Sequence, residues 1–252
     1  MNFVSDIAIS FRREIKPTLR TWYYLIAFGL IQPLLYLAFF VPLLGEVPSP
    51  GGVAPIQWFV PGMMVMLVLF TTVSCGWALT EELISGSFER FLVTPMSRPA
   101  VMIGRALKEL VPLMLQALIL VIVAVPFGLT MHVLPIVIGF VLLLLFGVGV
   151  ASLSYSLAIA TKNDGSLFYL VSHSVSLPLM LLGGVLLPMT AAPDWLFWLS
   201  RFNPVTYLVE AERALFMGEV FTSTVLYGVL VAAGVAVIGV GIGVAQIRKA
   251  TL

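Results

Sequence analysis

VLPIVIGFVLLLLFGVGVASLSYSLAIA, from Val133 to Ala160, carries no charged side chain. A helix rises about 1.5 Å per residue, so about 20 apolar residues cross the roughly 30 Å of hydrocarbon in a bilayer. This run is long enough to span. Its apolar residues are continuous rather than alternating, which reads as a helix and not as a barrel strand. Five further stretches have the same character: Trp22–Leu44, Ile56–Leu79, Ala106–Leu129, Leu167–Leu187 and Thr224–Ile247. The expected fold is an all-α polytopic membrane protein with six transmembrane helices in one domain, residues 1–252.

Composition agrees. Sixty per cent of residues are apolar, 10% are charged and the mean hydropathy is +1.10; a water-soluble domain carries about a quarter of charged residues. The net charge of +1 offers no basic surface for nucleic acid. Cys75 is the single cysteine and lies in an apolar run, so it reads as a small packing residue; neither an intrachain disulfide nor a cysteine metal cluster is available.

The charges are sorted along the chain. Arg12, Arg13, Lys16 and Arg20 precede the first span; Arg90, Arg98, Arg105 and Lys108 lie between the second and third or at the start of the third; Lys162 follows the fourth; Arg248 and Lys249 follow the sixth. One side thus holds eleven of the 13 basic residues, which places that side and both termini in the cytoplasm. The first apolar stretch exceeds the roughly 7–15 residues of a signal-peptide core and is not closed by a small-x-small cleavage site, so it is expected to remain as a span.

Two segments are amphipathic rather than spanning. In Asn2–Lys16, Phe3, Ile7, Phe11 and Ile15 recur every fourth residue, with Asp6, Ser10, Arg13 and Glu14 on other faces. This predicts a helix in the interface within residues 2–20, stopped near Pro17. In Pro188–Ser223, Pro193, Trp195, Asn203, Pro204 and Tyr207 predict two short helices that lie on or dip into the outer leaflet. Pro33, Pro112, Pro126 and Pro178 read as kinks or hinges. Gly239 and Gly243 form a GxxxG pair for close packing, within the chain or between subunits.

Several chemistries are excluded. None of Lys16, Lys108, Lys162 and Lys249 follows a glycine or precedes Ser or Thr, so the chain has no Walker A phosphate loop. There is no His-Glu-x-x-His helix and no aspartate deep in a span, so no catalytic residue and no metal ligand is assigned. His173, flanked by Ser172, Ser174 and Ser176, is the sole titratable candidate well inside a span; it reads as a hydrogen-bonded packing residue rather than a proton or substrate ligand.

The most informative loop, residues 80–100, contains TEELISGSFERFLVTPMSR from Thr80 to Arg98. Glu81 to Leu92 predicts a short helix with Phe88, Phe91 and Leu92 on one side, broken at Thr94-Pro95. An exposed helix with bulky apolar tips among charges is suited to a groove on a soluble partner.

These residues resemble the ABC type-2 transporter permeases, in particular the branch similar to daunorubicin-resistance and nodulation-type exporters. The resemblance rests on Gly86-Ser87-Phe88-Glu89-Arg90-Phe91-Leu92-Val93-Thr94-Pro95, Ala192-Pro193-Asp194-Trp195, Asn203-Pro204-Val205-Thr206-Tyr207 and Glu210-Ala211-Glu212-Arg213. Ser87-Phe88 departs from the more usual Thr-Leu but keeps the polar–apolar order. The resemblance implies a dimer of two permease chains, identical or related, in the bacterial inner membrane. Each works with an ATPase subunit that binds ATP and Mg, and no cofactor resides in this chain. It implies that Gly86, Phe88, Glu89, Arg90, Phe91, Leu92, Thr94 and Pro95 couple to the ATPase, and that Lys162, Asn163 and Asp164 make a second cytoplasmic contact. It also implies short re-entrant helices before the sixth span. The expected cargo is a hydrophobic or amphipathic molecule (a drug, a lipid or a lipid-linked molecule) moved outward; no residue is assigned to bind it. The competing readings are a membrane assembly protein without a transport cycle, and an ion-coupled carrier or channel.

Overall fold

The computed structural model describes residues 3–44, 54–87, 97–161, 164–186, 189 and 192–249, and every regular element among them is helical. In chain order these are α1 (Phe3–Arg20), α2 (Trp22–Leu44), α3 (Pro55–Ser74), α4 (Gly76–Ile84), α5 (Arg98–Ala124), α6 (Val133–Ala160), α7 (Gly165–Leu182), α8 (Asp194–Ser200), α9 (Pro204–Phe216) and α10 (Ser223–Lys249). Six helical stretches are long and apolar enough to cross a membrane: Trp22–Phe40, Pro55–Ile84, Ala100–Phe127, Val133–Ala160, Gly165–Leu182 and Ser223–Ile247. The all-α, six-span expectation holds.

Local chemistry explains where the elements differ from expectation. Helix α1 runs through Pro17 and ends at Arg20. Pro17 lacks an N–H for the helical ladder but does not stop the helix, and the chain turns instead at Thr21, whose amide donates to the Thr18 carbonyl at 3.2 Å. Helix α5 begins at Arg98, well before the apolar run, because Pro99 in its first turn has a φ already suited to a helix. The charged segment through Lys108 is therefore helical rather than loop. Pro126 lies in the 3-10 turn Val125–Phe127 that closes α5, and Gly128 follows at φ +98°. Helix α7 stops at Leu182, where Gly184 takes φ +67°.

Helix α3 is the central post of the bundle. Its residues from Ile56 to Leu69 are all buried, among them Phe59, Met63, Met64 and Leu69. Helices α2, α5, α6, α7, α9 and α10 add Leu30, Leu113, Leu143, Met180, Leu208 and Ala232 to one large apolar core. A smaller core of Cys75, Leu79, Met102, Ala106, Tyr155, Phe168 and Ile247 lies at the basic end.

Helices α6 and α10 touch backbone to backbone. A methyl group built on Gly239 would overlap the Gly149 carbonyl, and one on Gly149 would lie 2.6 Å from the Val235 carbonyl carbon. Gly243 faces the Met102 side chain, 2.6 Å from a built methyl. Both glycines of the GxxxG pair are thus spent inside the chain.

Helix α9 sits in the bundle at the end opposite the residue 80–100 loop, packed on α3, α6, α7 and α10, with Val205, Leu208, Val209, Leu215 and Phe216 buried. Asn203 caps it by accepting from the Val205 amide at 3.0 Å, while its Nδ2 donates to the Leu179 carbonyl at 2.7 Å. The Thr206 hydroxyl donates to the Leu182 carbonyl at 3.0 Å, and the Tyr207 hydroxyl to that of Arg201 at 2.9 Å. Trp195, by contrast, is exposed on α8, which Pro193 caps.

Replacing Gly239 by Val forces α6 and α10 apart; we expect a loss of about 1–3 kcal/mol in stability, the scale of overpacking a well-filled site, read as earlier thermal unfolding of the purified protein.

Candidate functional site

The loop expected to contact a partner begins on α4. That helix ends at Ile84, Ser85 caps it, and Gly86 at φ +68° turns the chain out of the helix. A side chain with a Cβ rarely adopts that conformation, so the unbroken helix expected from Glu81 to Leu92 is interrupted at Gly86. Phe88, Glu89, Arg90, Phe91, Leu92, Thr94 and Pro95 lie outside the described residues, as do Lys162 and Asn163. Asp164 is described, and it caps α7 by accepting from the Leu167 amide at 3.0 Å.

What the structure describes is how both ends of the loop are held. Helices α1 and α5 run parallel, joined by a three-rung polar ladder. Asp6 Oδ2 accepts from the Ser97 amide at 3.1 Å, the Ser10 hydroxyl donates to the Val101 carbonyl at 3.3 Å, and Arg105 donates to Glu14 at 3.2 Å. The rungs recur every fourth residue on both helices, so they lie along one face of each. Gly104 admits the approach: a methyl group there would lie 2.7 Å from Ser10 Cβ. Asp6 also places a carboxylate at the start of α5, where the helix dipole favours negative charge.

Arg105 pairs with Glu82 on α4 as well. Glu82 precedes the loop and Ser97 follows it, so α1 grips one side through Glu14–Arg105–Glu82 and the other through Asp6. Arg105 is buried, 5% exposed, and its two carboxylate partners offset the cost of that burial. Sequence reading placed Arg105 among the loop charges and Asp6 and Glu14 on the polar face of a surface helix. The readable signal was the spacing Asp6, Ser10, Glu14, a polar stripe on an otherwise amphipathic helix.

Helix α4 is also jointed to α3. The Ser154 hydroxyl, from α6, donates to the Val73 carbonyl at 2.6 Å and accepts from the Gly76 amide at 3.0 Å. It thereby inserts into the hydrogen-bond ladder where α3 gives way to α4, a recognised cause of a helix break. Gly76 makes room, since a methyl there would come within 2.6 Å of Ser154 Oγ. Beyond the joint, α4 rests on the small basic-end core rather than the large one: Leu79 is buried in it, and the Trp77 ring lies 6.4 Å from that of Phe168.

Among the described residues no group of His, Cys, Asp or Glu is placed to hold a metal ion. His173 lies on an exposed face of α7, stacked on Tyr169 at 3.9 Å, with Nδ1 3.3 Å from the Tyr169 carbonyl. The arrangement ties α4 and α1 to α5 on either side of the loop.

Residues 5–217 match the family described as ABC-2 type transporter. The chain belongs to that family. It is 27% identical over 193 residues to the putative transport permease ycf38 of Cyanophora paradoxa, covering 75% of this chain and 66% of that protein. It is 24% identical over 190 residues to the daunorubicin resistance ABC transporter permease protein DrrB1 of Streptomyces coeruleorubidus, covering 75% and 67%. The chain thus spans about two thirds of the length of these curated relatives. In this ABC-2 family member, the match takes in α1, the loop and α9 together.

Replacing Arg105 by Ala leaves Glu14 and Glu82 facing each other without a counter-charge. We expect a loss of roughly 3 kcal/mol, the low end for a broken buried pair because Glu82 keeps contact with water, measured by thermal unfolding; Glu82→Gln should cost less. Ser154→Ala should close the α3–α4 ladder into one helix, seen as a changed distance between spin labels on α4 and α7.

Proposed function

We propose that this chain is the membrane permease of an ATP-binding-cassette exporter. It has no phosphate loop of its own, so the driving force comes from a separate ATPase subunit that binds ATP and Mg and docks on the loop through Gly86, Phe88, Glu89, Arg90, Phe91, Leu92, Thr94 and Pro95. The observation that carries this reading is the double grip on that loop. A loop serving only as a turn has no need of Arg105 between two carboxylates on one side and Asp6 on the other. A loop that receives a push does, because the push must reach the spans. Closure of the ATPase would drive α4 about the Ser154 joint and shift α1, which lies in the cytoplasmic interface.

In this reading the basic end is cytoplasmic, both termini are inside, and α8 and α9 form a re-entrant segment at the outer face. Lys162, Asn163 and Asp164 make the second contact with the ATPase. A second permease chain covers the exposed faces of α2 and α7. His173 supports that assignment: an imidazole turned toward lipid is costly, and such residues face protein or water. The spans offer apolar surface, as in the groove lined by Phe11, Met114, Leu118, Val137 and Phe140, and the cargo is accordingly hydrophobic or amphipathic: a drug, a lipid or a lipid-linked molecule. The daunorubicin-resistance permease among the relatives points the same way.

The chain should co-purify with an ATPase from its native membrane. Phe91→Ala should weaken that association roughly thirtyfold, as expected of an aromatic anchor worth about 2 kcal/mol, while Glu89→Ala should lower ATP hydrolysis without unfolding the permease. Cysteines introduced at Phe88 to Leu92 should resist an impermeant reagent in intact cells. Labelling from outside, or transport by the isolated chain on an ion gradient alone, would overturn the proposal.

A further inference from the structure

Helix α9 carries two adjacent ionisable residues with opposite fates. Arg213 is fully engaged. Its guanidinium carbon lies 3.7 Å over the Trp58 ring, and the group donates to the carbonyls of Trp58 at 3.3 Å, Gly184 at 2.8 Å and Val185 at 3.1 Å. Glu212 is wholly buried, yet neither carboxyl oxygen has a hydrogen-bond partner among the described residues. Such an orphan is uncommon in folded proteins and calls for a specific explanation.

The packing limits what that explanation can be. A methyl group built on Gly139 of α6 would lie 2.5 Å from Glu212 Oε2, so the carboxyl occupies the space that any larger residue at 139 would need. On the neighbouring face of α9, Ala211 is pressed just as closely against Gly228 of α10. The contact at Gly139 closes that side of the carboxyl.

Among the described residues no charged group pairs with it. Helix α3 has no titratable side chain. Helix α6 contributes only Tyr155, which is engaged with Glu109 at 3.1 Å, and His132 just before the helix, whose ring lies against Gly218. Helix α10 has Tyr227, 54% exposed near its start, and Arg248 and Lys249 at its far end. Helix α7 has Tyr169 and His173, stacked on each other. On α9 itself, Glu210 pairs with Arg201 at 2.9 Å, and the Tyr207 hydroxyl donates to the Arg201 carbonyl.

We propose that Glu212 is a proton-binding site that latches α9: the neutral acid seats the helix against Gly139 of α6, and loss of the proton unseats it. The ligand is the proton itself, and the inference goes beyond the exporter reading without depending on it. Burial alone pushes the Glu212 carboxyl up to about 8, so the seated helix holds its proton at neutral pH. An unseated Glu212, in contact with water, returns to the ordinary carboxylate range near 4.5. The seated state therefore binds more protons than the unseated one. Its advantage is full below the ordinary carboxylate range and is lost as pH rises toward about 8. Within that window the unseating equilibrium rises about tenfold per pH unit, and above it the dependence flattens. The latch lies at the end of the bundle opposite the residue 80–100 loop, so a change in acidity there alters how readily that end opens.

The test uses the full chain in lipid nanodiscs. Hydrogen exchange of α9 amides, referenced to the amides of α6 in the same sample, is followed between about pH 5 and 9 for the wild type, Glu212→Gln and Glu212→Leu. The wild type should lose α9 protection as pH rises, by up to about tenfold per unit. Both variants, which cannot ionise, should show no such dependence. Infrared titration of the wild type needs no variant, and it should show a protonated-carboxyl band that persists at neutral pH and fades near pH 8. Two outcomes overturn the proposal: an α9 pH profile in the variants identical to the wild type, or a wild-type infrared spectrum in which all carboxyls are ionised at neutral pH.

Discussion

A backbone amide inside hydrocarbon has no water to bond, so every peptide group at membrane depth must find a partner within the protein. That constraint forces the spans to be helices, and it also governs the places where helices stop. Several interruptions within the bundle are answered by a side chain from elsewhere. Ser154 fills the gap between α3 and α4. Arg213 takes the carbonyls freed where α7 unwinds at Gly184. Gln57 holds both the amide and the carbonyl of Thr130 and also the carbonyl of Phe216, tying the turn after α5 to the end of α9. Asn203 serves the start of α9, and Asp6 the start of α5. The polar residues of this apolar chain are concentrated where the backbone needs them.

The same joints divide the molecule mechanically. Above the Ser154 wedge, α3 is locked on all sides in the large core; below it, α4 rests on a much smaller one. A close-packed interior transmits displacement rather than absorbing it, and far more of that packing surrounds α3 than α4. The polar ladder between α1 and α5 adds a second route. Its rungs are hydrogen bonds and an ion pair, with Asp6, Ser10 and Arg105 buried.

The opposite end follows another logic. Helix α9 is inserted among four helices and stitched to α7 through Asn203 and Thr206, with Arg213 bridging to α3. The stitching satisfies almost every polar group, which isolates Glu212 as the exception. Arg213 and Glu212 differ because successive residues on a helix are turned about 100° apart: one side of α9 meets freed carbonyls, the other meets the glycine-lined flank of α6.

The sequence by itself determined the number and order of the spans, the sorting of basic charge to one end, the two short helices before the last span and the family. These follow from composition and local pattern: an apolar run of 28 residues such as Val133–Ala160 has one physical outcome in a membrane whatever surrounds it. Only the tertiary structure decided which polar residues matter to one another. The 91 positions between Asp6 and Ser97, or between Glu14 and Arg105, leave no local trace, because a charge in a helix has the same sequence neighbourhood whether it meets water or another helix. It likewise decided that Ser154 breaks α3 from α4, that α1 passes through Pro17, and that Gly239 is spent on α6. Each depends on what lies across a helix contact, and that is set by how the faces pack rather than by the order of residues along one of them.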